Sequence, residues 1–162
     1  MKNNYLCSPK AETTKKDIDM QNEWFECKLE YDKLMENGTM KRVRGESYLT
    51  NAISCSEAEQ HMIEEMKSYI SGEFMVTDIK RVKYGELFFT DEDAADRYFK
   101  IKLVFITLDE KSGAEKKTRQ DVLVQASDLH DAVQKLDENM KGSMMDYTIA
   151  SVSEAPYMDV FR

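Results

Sequence analysis

Histidine, cysteine and long apolar runs are all scarce in this chain. Two histidines, His61 and His130, and three cysteines, Cys7, Cys27 and Cys55, occur in 162 residues. Three cysteines cannot build a disulfide framework, and the odd count fits a reducing compartment. They have no CxxC or CxxH spacing, so a zinc site has no support. No apolar run approaches the ~18 residues of a membrane span, and no apolar h-region of a signal peptide is visible. Net basicity is missing as well, since 23 Lys+Arg against 31 Asp+Glu give a formal charge of −8. These absences argue against a secreted mini-protein, a membrane protein and a basic duplex-DNA binder, and the expected setting is cytoplasmic. GxSxG, HExxH and P-loop patterns are absent too, so the reading is non-enzymatic, with no catalytic residue, metal or cofactor.

What is present is an ordinary globular mixture, 41% apolar and 33% charged. At ~100–200 residues per domain, one domain is the default. Within it, residues 24–89 and 98–162 match one another at a shift of 74, with small local slips. Trp24-Phe25-Glu26-Cys27-Lys28-Leu29 aligns with Tyr98-Phe99-Lys100-Ile101-Lys102-Leu103. Leu49, Ala52, Ala58, Gln60, Glu64 and Met66 return as Leu123, Ala126, Ala132, Gln134, Glu138 and Met140. Such a collinear series reads as an internal duplication.

Each repeat reads as β-β-α-β, with a short apolar segment (Leu87–Phe89, Val160–Phe161) that can add a fourth strand. The first strand alternates Phe25, Cys27, Leu29 and Tyr31 against Glu26, Lys28 and Glu30, the period of a half-buried strand. Asn37-Gly38 and Ser112-Gly113 mark hairpin turns. Ser54 with Glu57, and Asp128 with Asp131, stand at capping-box spacing before helices. The helical stripes are Cys55, Ala58, Met62, Met66, Tyr69 and Leu129, Ala132, Val133, Leu136, Met140, with Gly72 and Gly142 as stops. Cys27 and Cys55 read as small core residues.

The expected fold is therefore α+β. Two internally duplicated β-β-α-β units form one pseudo-two-fold domain, an antiparallel sheet with helices on one face. Residues 24–89 are the first repeat, 90–97 an acidic connector with one capped helical turn, and 98–162 the second repeat. Residues 1–22 are polar and read as a disordered N-terminal arm.

Several stretches also carry a resemblance: Trp24–Lys28, Ile70-Ser71-Gly72-Glu73-Phe74, Val76–Arg81, Thr107–Gly113 and Ile149-Ala150-Ser151-Val152. Together they resemble an uncharacterised domain-of-unknown-function family of Bacteroides-type bacteria and their mobile elements, over about residues 24–162. The resemblance implies a bacterial or phage cytoplasmic protein and brings no catalytic residues with it.

Most polar clusters have a plain structural reading. Asp91, Glu92, Asp93 and Asp96 lack the loop glycine and terminal glutamate of a calcium hand, and acids at a helix start are favourable without a ligand. Glu64 and Glu138 share a repeat position, but each lies about 200° round the helix from an inward residue and faces solvent. The repeated basic segment is the feature that points to a ligand. Lys41-Arg42-x-Arg44 and Lys116-Lys117-x-Arg119 both follow the hairpin turn, at a local shift of 75 that calls for a β-bulge near Gly45. Trp24 and Tyr98 share the outward parity of Lys28, Lys100 and Lys102. An open face of Trp24, Tyr98, Lys28, Lys100, Lys102, Arg42, Arg44, Lys117 and Arg119 is how single-stranded nucleic acid is commonly held, by stacking and phosphate contact.

Against that stand Glu26 and Glu30 on the same face, and the charge itself. Residues 1–23 are neutral overall, so the whole −8 lies beyond them, a field that opposes phosphate. The sequence thus supports a non-catalytic binding protein, with single-stranded nucleic acid as one ligand. The alternative is a protein-protein interaction or self-assembly module, an acidic accessory or inhibitor protein with a basic partner or a second copy of itself.

Overall fold

The computed structural model describes residues 22–162. The expected arm, residues 1–22, lies outside them apart from Asn22. In chain order the elements are β1 (Glu23–Leu34), β2 (Met40–Ala52), α1 (Cys55–Met66), β3 (Phe74–Val82), β4 (Glu86–Phe88), β5 (Arg97–Leu108), β6 (Glu115–Ala126), α2 (Leu129–Met140), β7 (Tyr147–Ala155) and β8 (Tyr157–Phe161). They form two compact units, residues up to Lys83 together with Tyr157–Arg162, and Tyr84–Pro156.

The class is α+β, and the order β-β-α-β-β occurs twice. The sheets differ from the expectation in one respect. One has the order β3-β1-β2-β8 and the other β4-β6-β5-β7. β8 runs parallel to β2, and β4 runs parallel to β6. Both sheets are therefore mixed rather than antiparallel. The cause lies in the short apolar segments. β4 follows β3 in sequence but completes the sheet of the second unit, and β8, last in the chain, completes that of the first. A strand that returns from a distant part of the chain is free of the hairpin constraint that makes neighbours antiparallel.

Alternation along β1 buries Phe25, Cys27 and Leu29 against Ala58, Met62 and Met66 of α1. In the second unit Phe99, Ile101 and Leu103 meet Ala132 and Leu136 of α2. Each fully buried side chain of this size contributes roughly 1.5–3 kcal/mol, so these two stripes are the main support of the two helices. Both helices start as their spacing demands. The Glu57 N–H donates to the Ser54 hydroxyl at 3.2 Å, and the Asp131 N–H to the Asp128 carboxylate at 2.9 Å. The acids reach back in turn, Glu57 to the Ile53 N–H at 3.0 Å and Asp131 to the Ser127 N–H at 2.9 Å. The helices end at Met66 and Met140, before the glycines, and Tyr69 is left exposed beyond the first. Cys27 is a free, buried thiol. Cys55 packs beside the first core.

The connector holds a reverse turn instead of a helical one. Its backbone bond runs from the Ala95 N–H to the Glu92 carbonyl at 3.0 Å, and the side chain of Ala95 is buried.

A bulge stands at Gly45. Leu29 pairs with Glu46 and Glu30 with Arg44, which leaves Gly45 outside the register with φ +71°. A left-handed residue is the usual seat of such a bulge, and only glycine enters it without a Cβ clash. Gly45→Val is therefore expected to cost about 1–2 kcal/mol in urea denaturation, whereas Gly142→Ala, at a position with open space and no positive φ, is expected to change stability by less than about 0.5 kcal/mol.

Candidate functional site

All nine candidate residues lie on β1, β2, β5 and β6. Alternation from the buried Phe25 and Phe99 places them on the sheet face turned away from the helix of their own unit. Around the aromatics that face is not open. Tyr98 is 6% exposed and Leu123, beside it on β6, 1%. In the first unit Trp24 and Lys28 are half-buried, while Leu49 and Ser47 on the same face are buried. A base cannot stack on the Tyr98 ring without uncovering it first.

The first-unit cations answer their own acids. Arg42 Nε lies 2.7 Å from Glu30 Oε1, and its Nη1 lies 3.2 Å from Asp32 Oδ2. Arg44 Nε shares the same Glu30 oxygen at 3.2 Å. The Arg42 hydrogen bond is the main reason that the Glu30 carboxyl sits below the usual carboxylate range, and the same contact raises the Arg42 guanidinium. Lys100 of the second unit lies 3.3 Å from Asp121. Lys102, Lys117 and Arg119 differ. They are exposed and make no ion pair among the described residues, with Lys117 across from Ile106 and Arg119 across from Val104. The structure therefore gathers Arg42 with Arg44, and Lys117 and Arg119 with Lys102, and sets Trp24 and Tyr98 at the far ends of their strands.

Burial, reinforced by Glu26, Asp78 and Glu59, pushes the Cys27 thiol up to about 12, so it stays protonated at neutral pH. Among the described residues, no three His, Cys, Asp or Glu side chains gather as a metal site. Glu64 and Glu138 are exposed and accept bonds from Gln60 and Gln134, one helical turn earlier.

A different site was not read from the sequence. In the first unit, a concavity of about 220 Å³ is bounded by Tyr31, Tyr48, Tyr69, Phe161 and Asp159. The hydroxyls of Tyr31 and Tyr48 both donate to Glu46 Oε2, at 3.1 and 3.0 Å. The spacing of Glu46 and Tyr48 signals a shared face. Phe161 and Asp159 arrive on β8, whose parallel pairing with β2 has no local sequence signal.

Fold and surface together define an α+β protein with two mixed four-stranded sheets and an acidic exterior. The chain belongs to the family described as Domain of unknown function (DUF4494), whose model matches residues 23–162. No curated protein matches it, and no solved structure does. No helix among the described residues is long and apolar enough to cross a membrane.

Two outcomes follow from these placements. Tyr98→Ala is expected to lose about 3–5 kcal/mol in urea denaturation, as a truncated core aromatic, while Lys117→Ala and Arg119→Ala stay within about 0.5 kcal/mol. The Glu30 carboxyl, lowered in the folded chain, adds stability that is present above its unfolded value and lost as pH falls through the lower folded one. Glu30→Gln should flatten that part of the acid limb in a pH series of thermal melts.

Proposed function

We propose that this protein is a non-catalytic interaction module whose partner is a basic polypeptide. One observation carries the reading, the distribution of charge. The whole −8 lies beyond residue 23, and Arg42, Arg44 and Lys100 are neutralised by Glu30, Asp32 and Asp121. Exposed acids such as Glu64, Glu65, Asp91 and Asp93 are left to dominate the field. A potential of that sign accelerates encounter with a cationic partner and slows encounter with phosphates.

The two units are proposed to descend from one duplicated β-β-α-β-β segment. Their equal helix lengths and matching N-caps, Ser54 and Asp128, support that origin.

Single-stranded nucleic acid is the second reading, favoured by Lys102, Lys117 and Arg119, which share one face of the β5–β6 hairpin and make no ion pair among the described residues. In that case binding would rest on phosphate contact and not on the Tyr98 ring.

Anisotropy titrations of a labelled Arg/Lys-rich peptide and of a labelled oligonucleotide separate the readings. At ~50 mM salt, where ionic contacts are strongest, the peptide is expected to bind with steep salt dependence and the oligonucleotide to stay flat. Oligonucleotide binding that is abolished by Lys102→Ala/Lys117→Ala/Arg119→Ala, with a flat peptide titration, would replace the first reading by the second.

A further inference from the structure

We propose that the concavity of the first unit binds an organic cation, the head of an arginine or lysine side chain presented by a basic polypeptide. The source of the cation rests on the reading above; the existence of the site does not.

Three features of the concavity fit that ligand. Its walls are aromatic: Tyr31, Tyr48, Tyr69 and Phe161 line it, with the Tyr48 and Phe161 rings nearly parallel, centroids 6.0 Å apart and 16° between planes. Aromatic faces attract cations through their quadrupole. Its charge is negative. Asp159 is part of the lining, and the Glu46 carboxylate accepts from the hydroxyls of both Tyr31 and Tyr48. A phenol that donates to a carboxylate has a more electron-rich ring, and so a stronger pull on a cation lying against it. Among the described residues no lysine, arginine or histidine contributes to the lining, so none of them repels a positive group there.

Size selects the source. Pockets for whole drug-sized ligands measure about 300–1,000 Å³, and this one, at about 220 Å³, suits one side-chain head. Tyr69 and Met158, 67% and 58% exposed, form an apolar rim beside it. Such a rim covers the methylene stem of a long side chain whose charged end lies inside. Burial, with the charges of Glu46 and Asp159, also holds the Tyr48 hydroxyl above its ordinary value, so the phenol keeps its proton and its bond to Glu46 at neutral pH.

The test uses the full chain with ¹³C-methyl methionine, because Met66 and Met158 both line the concavity. The probes are N-acetyl-arginine methylamide, tetramethylammonium, the neutral isostere neopentyl alcohol, and an arginine-containing peptide. Saturable shifts of the Met66 and Met158 methyls are expected with both cations, and about tenfold weaker binding with the alcohol. Tyr69→Ala and Asp159→Asn should each weaken the cations about threefold or more without lowering the melting temperature. The peptide should bind more tightly than the amide. An alcohol that binds as well as the cations would overturn the site as a cation pocket, and so would unmoved Met66 and Met158 signals with every cation. Tetramethylammonium binding that the peptide cannot displace would overturn the polypeptide source and keep the cation site. Peptide binding that leaves both methyls unmoved would overturn this site and leave the basic-partner reading standing.

Discussion

The parallel ladder between β2 and β8 is the contact on which the first unit depends. Tyr48 lies across from Asp159, Leu49 from Val160 and Thr50 from Phe161. More than a hundred residues of chain separate these partners, so the closure entropy is large, although it grows only slowly with loop length. What offsets it is the burial of Tyr157, the stacking of Phe161 on Tyr48, and a paired edge on β2. The second unit closes by the same device. There β4, three residues long, pairs with Glu86 across from Val122, Leu87 from Leu123 and Phe88 from Val124. The first unit therefore depends on the last strand of the chain.

The bulge at Gly45 is the second constraint, and it joins fold to site. By shifting the register once, it lets Glu30 face Arg44 on one side of the sheet while Glu46 stays on the other side with Tyr48. One inserted residue therefore sets Arg42 and Arg44 against Glu30. Glu46, paired with Leu29 and two residues from Tyr48, keeps its face on the other side of the bulge. Without the bulge every side chain from Gly45 back to Met40 would change face, and the pairing of Arg42 and Arg44 with Glu30 would be lost.

Much of this architecture was legible in the sequence, for reasons that are local. Alternation of Phe25, Cys27 and Leu29 fixed β1, the Ser54/Glu57 and Asp128/Asp131 pairs fixed the helix starts, and the changed spacing between the basic segments Lys41–Arg44 and Lys116–Arg119 pointed to Gly45. The outward parity of the nine basic and aromatic residues was legible too. Their surroundings were not, because parity gives a direction and says nothing of what covers a face. Tyr98 and Leu123 point away from α2 and are still buried. The exchange of β4 and β8 was likewise invisible, since strand segments three and five residues long carry no mark of the sheet they join. For that reason the aromatic concavity, three of whose lining residues arrive on β8, was not legible in the sequence.

The claim that most of this rests on is that β8 completes the first sheet. Amide hydrogen exchange of Tyr157–Phe161 in the full chain, with the nuclear Overhauser contact between the Tyr48 and Phe161 rings, addresses it directly. These amides are expected to be protected together with those of β2, and the inter-ring contact to be present. Amides of β8 that exchange freely while β1 and β2 remain protected, with no ring contact, would contradict it.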